Sequence, residues 1–209
     1  AVGDNLKDLI LFDGRSMVLD PAGTILGRGP LFADGLVAVD LDAHHQAPDP
    51  HMPAEPEAEV LKAALVFGLR EYCRQTGFNK VLLGMSGGVD SSLCAAIAAM
   101  AMGQDNVLGI MLPSAFSSTE TRRSAEAVCR NTGIRSMEMP IDDLHQRVVA
   151  VFERHRRMRR RVTDENIQAR LRGLLLMAMA NDSGRMVVAT GNKTELGLGY
   201  CTLYGDMVG

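Results

Sequence analysis

Apolar residues change their spacing near residue 56 of the 209-residue chain. Before that point, short apolar runs alternate with polar positions and are broken by turn residues. "LILF" is followed by Asp13-Gly14, a two-residue hairpin signal, and then by "RSMVLD". "PAG" predicts another turn, "TILGRG" a third short strand and "GLVAVDLD" a fourth. "HHQAPDPHMPAEPEAE", residues 44–59, carries four of the eight prolines and reads as a linker. Beyond it the period lengthens. "EAEVLKAALVFGLREYCRQTG" repeats apolar residues at Leu61, Leu65, Leu69 and Tyr72, a helical stripe closed by Gly77.

From there buried strands alternate with helices. "KVLLGM", "VLGIML", "IRSMEMP" and "RMVVAT" read as strands. Helices are predicted over "DSSLCAAIAAMAMG", "TETRRSAEAVCRNTG", "IDDLHQRVVAVFERHRRM" and "DENIQARLRGLLLMAMAND", the second opened by a Ser117/Glu120 capping box. This order predicts an α/β fold: an open parallel sheet with helices on both faces, joined by right-handed crossovers and preceded by a short β-rich segment. In such sheets ligands sit beyond the carboxyl ends of the strands.

Composition narrows the function. The chain is 46% apolar and 22% charged, which supports a packed core. No apolar run approaches the length of a membrane span, and the first residues have no signal-peptide core. Cys73, Cys94, Cys129 and Cys201 form no C-x-x-C pair, which disfavours zinc and redox motifs and points to a reducing, cytoplasmic setting. A net charge of −3 argues against a chain-wide nucleic-acid surface, with −5 in residues 1–50 and +2 in the remainder. "RHRRMRRR", residues 154–161, has no interleaved aromatics for base stacking and reads as a solvated helix end. His44, His45 and His51 lie in the linker without zinc-ligand spacing.

The candidate chemistry lies where strands end. "GMSGGVDSS", residues 84–92, joins a strand to a helix through small residues. Such a junction offers backbone N–H groups and the positive end of a helix dipole to an anion. No G-K-[ST] follows, so it is not a Walker loop. Asp90 beside a phosphate site is repulsive unless a divalent cation lies between them, which points to Mg²⁺; otherwise Asp90 caps the helix. Asn166 and Arg170 stand four apart on one helix face, either to meet a phosphate-bearing ligand or as a solvated helix start. Thr190 and Glu195 follow the last strand and reach the same edge as Asp90, either completing a metal site or capping a helix.

Ser-Gly-Gly-x-Asp-Ser at 86–91 resembles the signature of the PP-loop ATP pyrophosphatases. With "ENIQARLRG" (165–173) and "TGNKTELGLGYCTLYGDM" (190–207), the order and spacing resemble NAD synthetases of the glutamine-dependent type. The resemblance implies that Gly84, Met85, Ser86, Gly87, Gly88, Val89, Asp90, Ser91 and Thr190 bind ATP. It implies Asp90 and Glu195 as catalytic residues on Mg²⁺, and Asn166, Arg170 and Glu195 as contacts to deamido-NAD. A lysine of the ammonia-dependent enzymes would align with Leu203. The implied reaction is ATP-dependent amidation of deamido-NAD through an adenylate, releasing AMP and pyrophosphate, with ammonia drawn from glutamine. Residues 1–50 resemble the last strands of a nitrilase-type glutaminase domain, 51–59 its linker, and 60–209 the synthetase domain. The resemblance also implies a homo-oligomer, and neither membrane nor nucleic-acid partners. Rival readings are another PP-loop enzyme, acting like GMP synthetase or thiolating tRNA, and a nucleotide-binding module without turnover.

Overall fold

A computed structural model describes residues 2–5, 10–41, 56–157 and 161–209. The chain forms two compact units, residues 1–76 and 77–209. Most of the expected linker, and residues 158–160 of the arginine run, lie outside the described residues.

In the first unit β1 (Val2–Asn5) pairs antiparallel with β2 (Ile10–Asp13), and β3 (Met17–Leu19) with β4 (Ile25–Arg28). The Asp13-Gly14 signal therefore does not close a hairpin. Gly14 (φ 82°) and Arg15 (φ 50°) make a left-handed kink inside a continuing pairing, because Arg15 N donates to Pro30 O and Gly29 N to Ser16 O. The "PAG" turn forms as expected. Asp20 Oδ1 accepts from Ala22 N at 2.9 Å and Thr24 N at 2.8 Å, and these bonds hold its carboxyl below the usual range.

Of the expected strand "GLVAVDLD", the described residues 35–41 form no strand. Its alternation is real, since Val37 and Val39 turn inward against Gly27, where a Cβ would meet them at 2.6 and 2.8 Å. They pack without laddering. Helix α1 (Glu57–Thr76) forms, but three of its four stripe residues, Leu61, Leu65 and Tyr72, are exposed and Leu69 is half-buried. Phe67 stacks on Phe32 with centroids 5.4 Å apart, and Gly68 lies against Leu11. One bulky aromatic beside small residues decides the packed face, where a count of aliphatic positions does not.

The second unit holds a four-stranded parallel sheet in the order β7-β6-β5-β8: Arg135–Glu138, Val107–Met111, Val81–Gly84 and Met186–Val187. Val81, Leu82 and Leu83 are fully buried, the mark of a central strand covered on both sides. Helices α2 (Val89–Met102) and α3 (Thr119–Thr132) contact each other, α2 packing on β5 and β6 and α3 on β6 and β7. Ala95, Ala98 and Ala101 form the buried side of α2 and permit a close approach. Helix α4 (Asp142–Glu153) packs on α5 (Arg161–Ser183), which in turn lies on β5 and β8. Leu82, Ile110, Leu112, Ile141, Ala180 and Val187 form the core there. A short α6 (Lys193–Leu198) follows β8.

One cap differs from expectation. Helix α3 is capped by Ser118, whose side chain accepts from Thr121 N, while Ser117 Oγ accepts from Ser114 N one turn earlier. At the amino ends of the strands, buried Arg185 donates to Val81 O at 3.2 Å and Asn106 O at 3.0 Å. Burial pushes its guanidinium below the ordinary value, with Arg135 acting in the same direction.

Candidate nucleotide site at the strand ends

The chain runs from β5 to β6 to β7 in one direction and then returns to the other side of β5 with β8. The switch lies between β5 and β8, where open α/β sheets place their ligands. A cavity of about 480 Å³ sits there, among residues that follow the carboxyl ends of β5, β6 and β8. Gly84, Met85 and Ser86 come from β5, Met111, Leu112 and Pro113 from β6, and Val188, Ala189 and Thr190 from β8. Helix α3 adds Thr121 and Arg122, and α5 adds Ala169, Arg172 and Gly173. Gly205, Asp206 and Val208 close it.

The glycine loop is held open by its own polar groups. Ser86 Oγ accepts from Gly88 N at 3.2 Å and lies 3.1 Å from Ser91 Oγ. Ser91 and Ser92 hydroxyls donate back to Gly88 O at 3.1 and 2.7 Å. Gly88 is the N-cap of α2 and has no capping side chain. The first-turn amides of Val89, Asp90 and Ser91 thus have no intrahelical acceptor, as an anion site requires. Gly87 (φ 82°) passes so close to α3 that a Cβ would meet Thr121 O at 2.0 Å. Only glycine fits there.

Asp90 is therefore not the cap of α2. Its Oδ1 accepts from Asn192 Nδ2 at 3.3 Å. Asn192 caps α6 and accepts from Glu195 N at 2.9 Å, while its own N–H donates to Glu195 Oε2 at 3.0 Å. Parallel topology thus brings Asp90 and Glu195 to the two sides of one asparagine, although they stand 105 positions apart. Glu195 lies in the first turn and forms a capping box with Asn192, so Asn192 and not Thr190 caps α6. Among the described residues no third His, Cys, Asp or Glu joins them in a cluster able to hold a metal.

Asn166 and Arg170 do share a helix face, but neither lines the cavity. Asn166 Oδ1 accepts from Thr202 Oγ1 at 2.9 Å, and Arg170 Nε donates to Leu203 O at 3.2 Å. Both hold the segment that continues into Gly205 and Asp206. The guanidinium that lines the cavity is Arg172, two positions on and turned toward the sheet. It donates from Nε to Leu112 O at 3.0 Å and from Nη2 to Ser114 Oγ at 3.4 Å. Burial lowers its pKa, opposed by the Asp142 carboxylate, and it remains a cation. Its signal is a charge placed directly before the apolar run "GLLLM", whose first residue, Gly173, is where a Cβ would meet Tyr204 O and Gly205 O at 2.9 Å. Arg122 is the second cation at the cavity, its Nη2 bonded to both Glu138 oxygens at 2.6 and 2.8 Å.

All four cysteines are free. Cys94 lies one turn after Asp90, and burial and that carboxylate raise its thiol pKa, which suits packing and not nucleophilic attack. No described helix is long and apolar enough to cross a membrane.

Known proteins resemble this chain in sequence and in fold. The NAD synthase family model matches residues 61–209. The glutamine-dependent NAD(+) synthetase of Synechocystis sp. is 42% identical, over 100% of this chain and 38% of that protein. The Rhodobacter capsulatus protein of the same name is 43% identical, over 97% and 38%. The structure of glutamine-dependent NAD+ synthetase from Acinetobacter baumannii, in complex with ADP, matches at a TM-score of 0.89 and 35% identity, over 100% of this chain and 40% of that one. The chain thus spans about two fifths of the length of the curated relatives it matches.

Proposed function

The chain belongs to the NAD synthase family, and we propose that it activates the nicotinate carboxylate of deamido-NAD with ATP, for amidation by ammonia. The observation that carries this reading is the cavity at the β5/β8 switch, walled by a glycine loop on one side and by Arg122 and Arg172 on others. Loop amides of the first turn of α2 bind phosphate oxygens, and Thr190 adds a hydroxyl at the end of β8. The apolar wall from Met111 to Pro113 keeps water from the activated carboxyl. Carboxylate attack on the α-phosphorus releases pyrophosphate, and ammonia then displaces AMP. This attack needs positioning and charge neutralisation more than a base.

Asp90 and Glu195 fit Mg²⁺ by the chemistry of their donors. Mg²⁺ keeps several waters and takes one or two carboxylates together with substrate phosphates, so two are enough. When bound, it neutralises charge on the departing pyrophosphate. Asn166 and Arg170 act on the dinucleotide through the 202–206 segment that they hold.

We assign residues 1–50 to the end of a nitrilase-type glutaminase domain, 51–59 to a linker and 60–209 to the synthetase domain, working as a homo-oligomer in the cytoplasm with glutamine as ammonia source. The test is incubation of the full chain with ATP, Mg²⁺, ammonium and an acceptor. AMP and pyrophosphate should appear with deamido-NAD and not with XMP or tRNA. ADP and phosphate as products would overturn the assignment.

A further inference from the structure

Helix α6 has six residues, none of them buried, so no core of its own fixes its place. Its N-cap does. The Asn192 amide is used at both ends, with Oδ1 accepting from Glu195 N and Nδ2 donating to Asp90 Oδ1 across 102 positions of chain. The Asn192 N–H holds Glu195 Oε2 as well. One oxygen of each carboxylate is thereby engaged. Among the described residues, Asp90 Oδ2 and Glu195 Oε1 are left without a hydrogen-bond donor.

Capping alone does not call for this residue, because Asp, Ser and Asn cap a helix about equally well. Of the three, asparagine alone carries an acceptor for the helix amide and a donor for a second carboxylate on separate atoms. Serine's hydroxyl is too short to span both, and aspartate would set a third negative charge against Asp90. We propose that Asn192 is a positioning residue, fixing Asp90 and Glu195 relative to each other so that their remaining oxygens present one cation site. This inference rests on the metal–nucleotide reading above and goes beyond it by naming what sets the geometry of the pair. Partners that orient ligating carboxylates typically matter by about 10–100-fold in metal affinity or activity.

The experiment titrates the full chain with ATP by calorimetry, once with Mg²⁺ and once in EDTA, and measures thermal unfolding without ligand. Asn192→Ser keeps the cap acceptor and removes the amide donor that reaches Asp90. Its Tm should stay within a few degrees of the unaltered chain, and its ATP affinity in EDTA should be unchanged. Its Mg²⁺-dependent affinity should fall by about 10–100-fold. In an Asp90→Asn background the same substitution should change that affinity by less than about twofold, since the carboxylate that Asn192 orients is gone. Wild-type Mg²⁺-dependent affinity in Asn192→Ser overturns the proposal. So does a loss equal in both backgrounds, a loss that also appears in EDTA, or a collapse of Tm. ATP binding by the unaltered chain that ignores Mg²⁺ would remove the underlying reading, and this one with it.

Discussion

Replacing Gly87 with alanine tests whether the loop is shaped by its contact with α3. Two costs are separable. The first is conformational: Gly87 has φ +82°, and a left-handed residue with a Cβ costs about 1–2 kcal/mol. The second is steric. The new Cβ would lie 2.0 Å from Thr121 O and 2.8 Å from its carbonyl carbon, both backbone atoms of a helix, so the loop must move. Overpacking of this kind costs about 1–3 kcal/mol. Gly184 provides the control, with φ +62° and nothing within 4 Å of its Cβ position.

Gly184→Ala should therefore carry the first cost alone. At about 2–4 °C of Tm per kcal/mol for a chain of this length, Gly87→Ala should melt about 2–12 °C below Gly184→Ala. The displaced loop should also weaken ATP binding at least about tenfold, or about 1.4 kcal/mol, while Gly184→Ala binds normally. Differential scanning fluorimetry and calorimetric titration read both quantities. Equal melting of the two variants, with unaltered ATP binding in Gly87→Ala, would refute the reasoning.

Asp90→Asn should keep the fold, since Gly88 and not Asp90 caps α2, and the lost charge at the helix start is worth only about 0.3–1 kcal/mol. Its turnover in a pyrophosphate-release assay should drop by about 100-fold or more, and near-normal turnover would leave Asp90 a packing role only. Arg170→Ala frees the Leu203 carbonyl and should raise KM for deamido-NAD more than KM for ATP; equal rises would indicate a general folding defect. Burial raises the Cys129 thiol pKa in the folded chain, so folding favours the protonated thiol. That contribution is fully present below the ordinary thiol value of about 8.5 and is lost as pH rises through the folded value. The stability gap between the unaltered chain and Cys129→Ala should therefore narrow above about pH 8.5 in denaturant titrations, and a gap independent of pH would contradict this.

The centre of the parallel sheet is readable because β5 and β6 are buried on both faces, whereas β7 is an exposed edge. Val81 to Leu83 must be an apolar run, and such runs bounded by glycine are hard to mistake. The loop was equally plain, since small residues between a strand and a helix have few other uses. Pairing was less legible. Asp13-Gly14 carries the same left-handed preference in a kink as in a hairpin, and only the partner strand tells them apart. "GLVAVDLD" shows the correct inward side chains and no ladder, because alternation reports burial and not hydrogen bonding. Arg170 was singled out by its spacing from Asn166, yet Arg172 lines the cavity. Two positions on a helix turn a side chain to the opposite side, and sequence spacing does not say which side meets the sheet. Asn192 escaped notice for a similar reason. It reads as an ordinary cap until topology brings Asp90 beside it.

That topology also sets an order of events. β5, β6 and β7 are consecutive neighbours, each joined to the next by one short crossover, so this block closes small loops and can form early. β8 must return across the whole of it to reach β5, where Met186 pairs with Val81. During synthesis the glycine loop is made long before Thr190, Asn192 and Gly205 leave the ribosome, at about 5–20 residues per second. A nascent chain therefore carries the glycine loop for several seconds before β8 is made. Nucleotide would stabilise only the chain that has finished this return, so ligand present during refolding should act on the last step and leave the earlier ones unchanged.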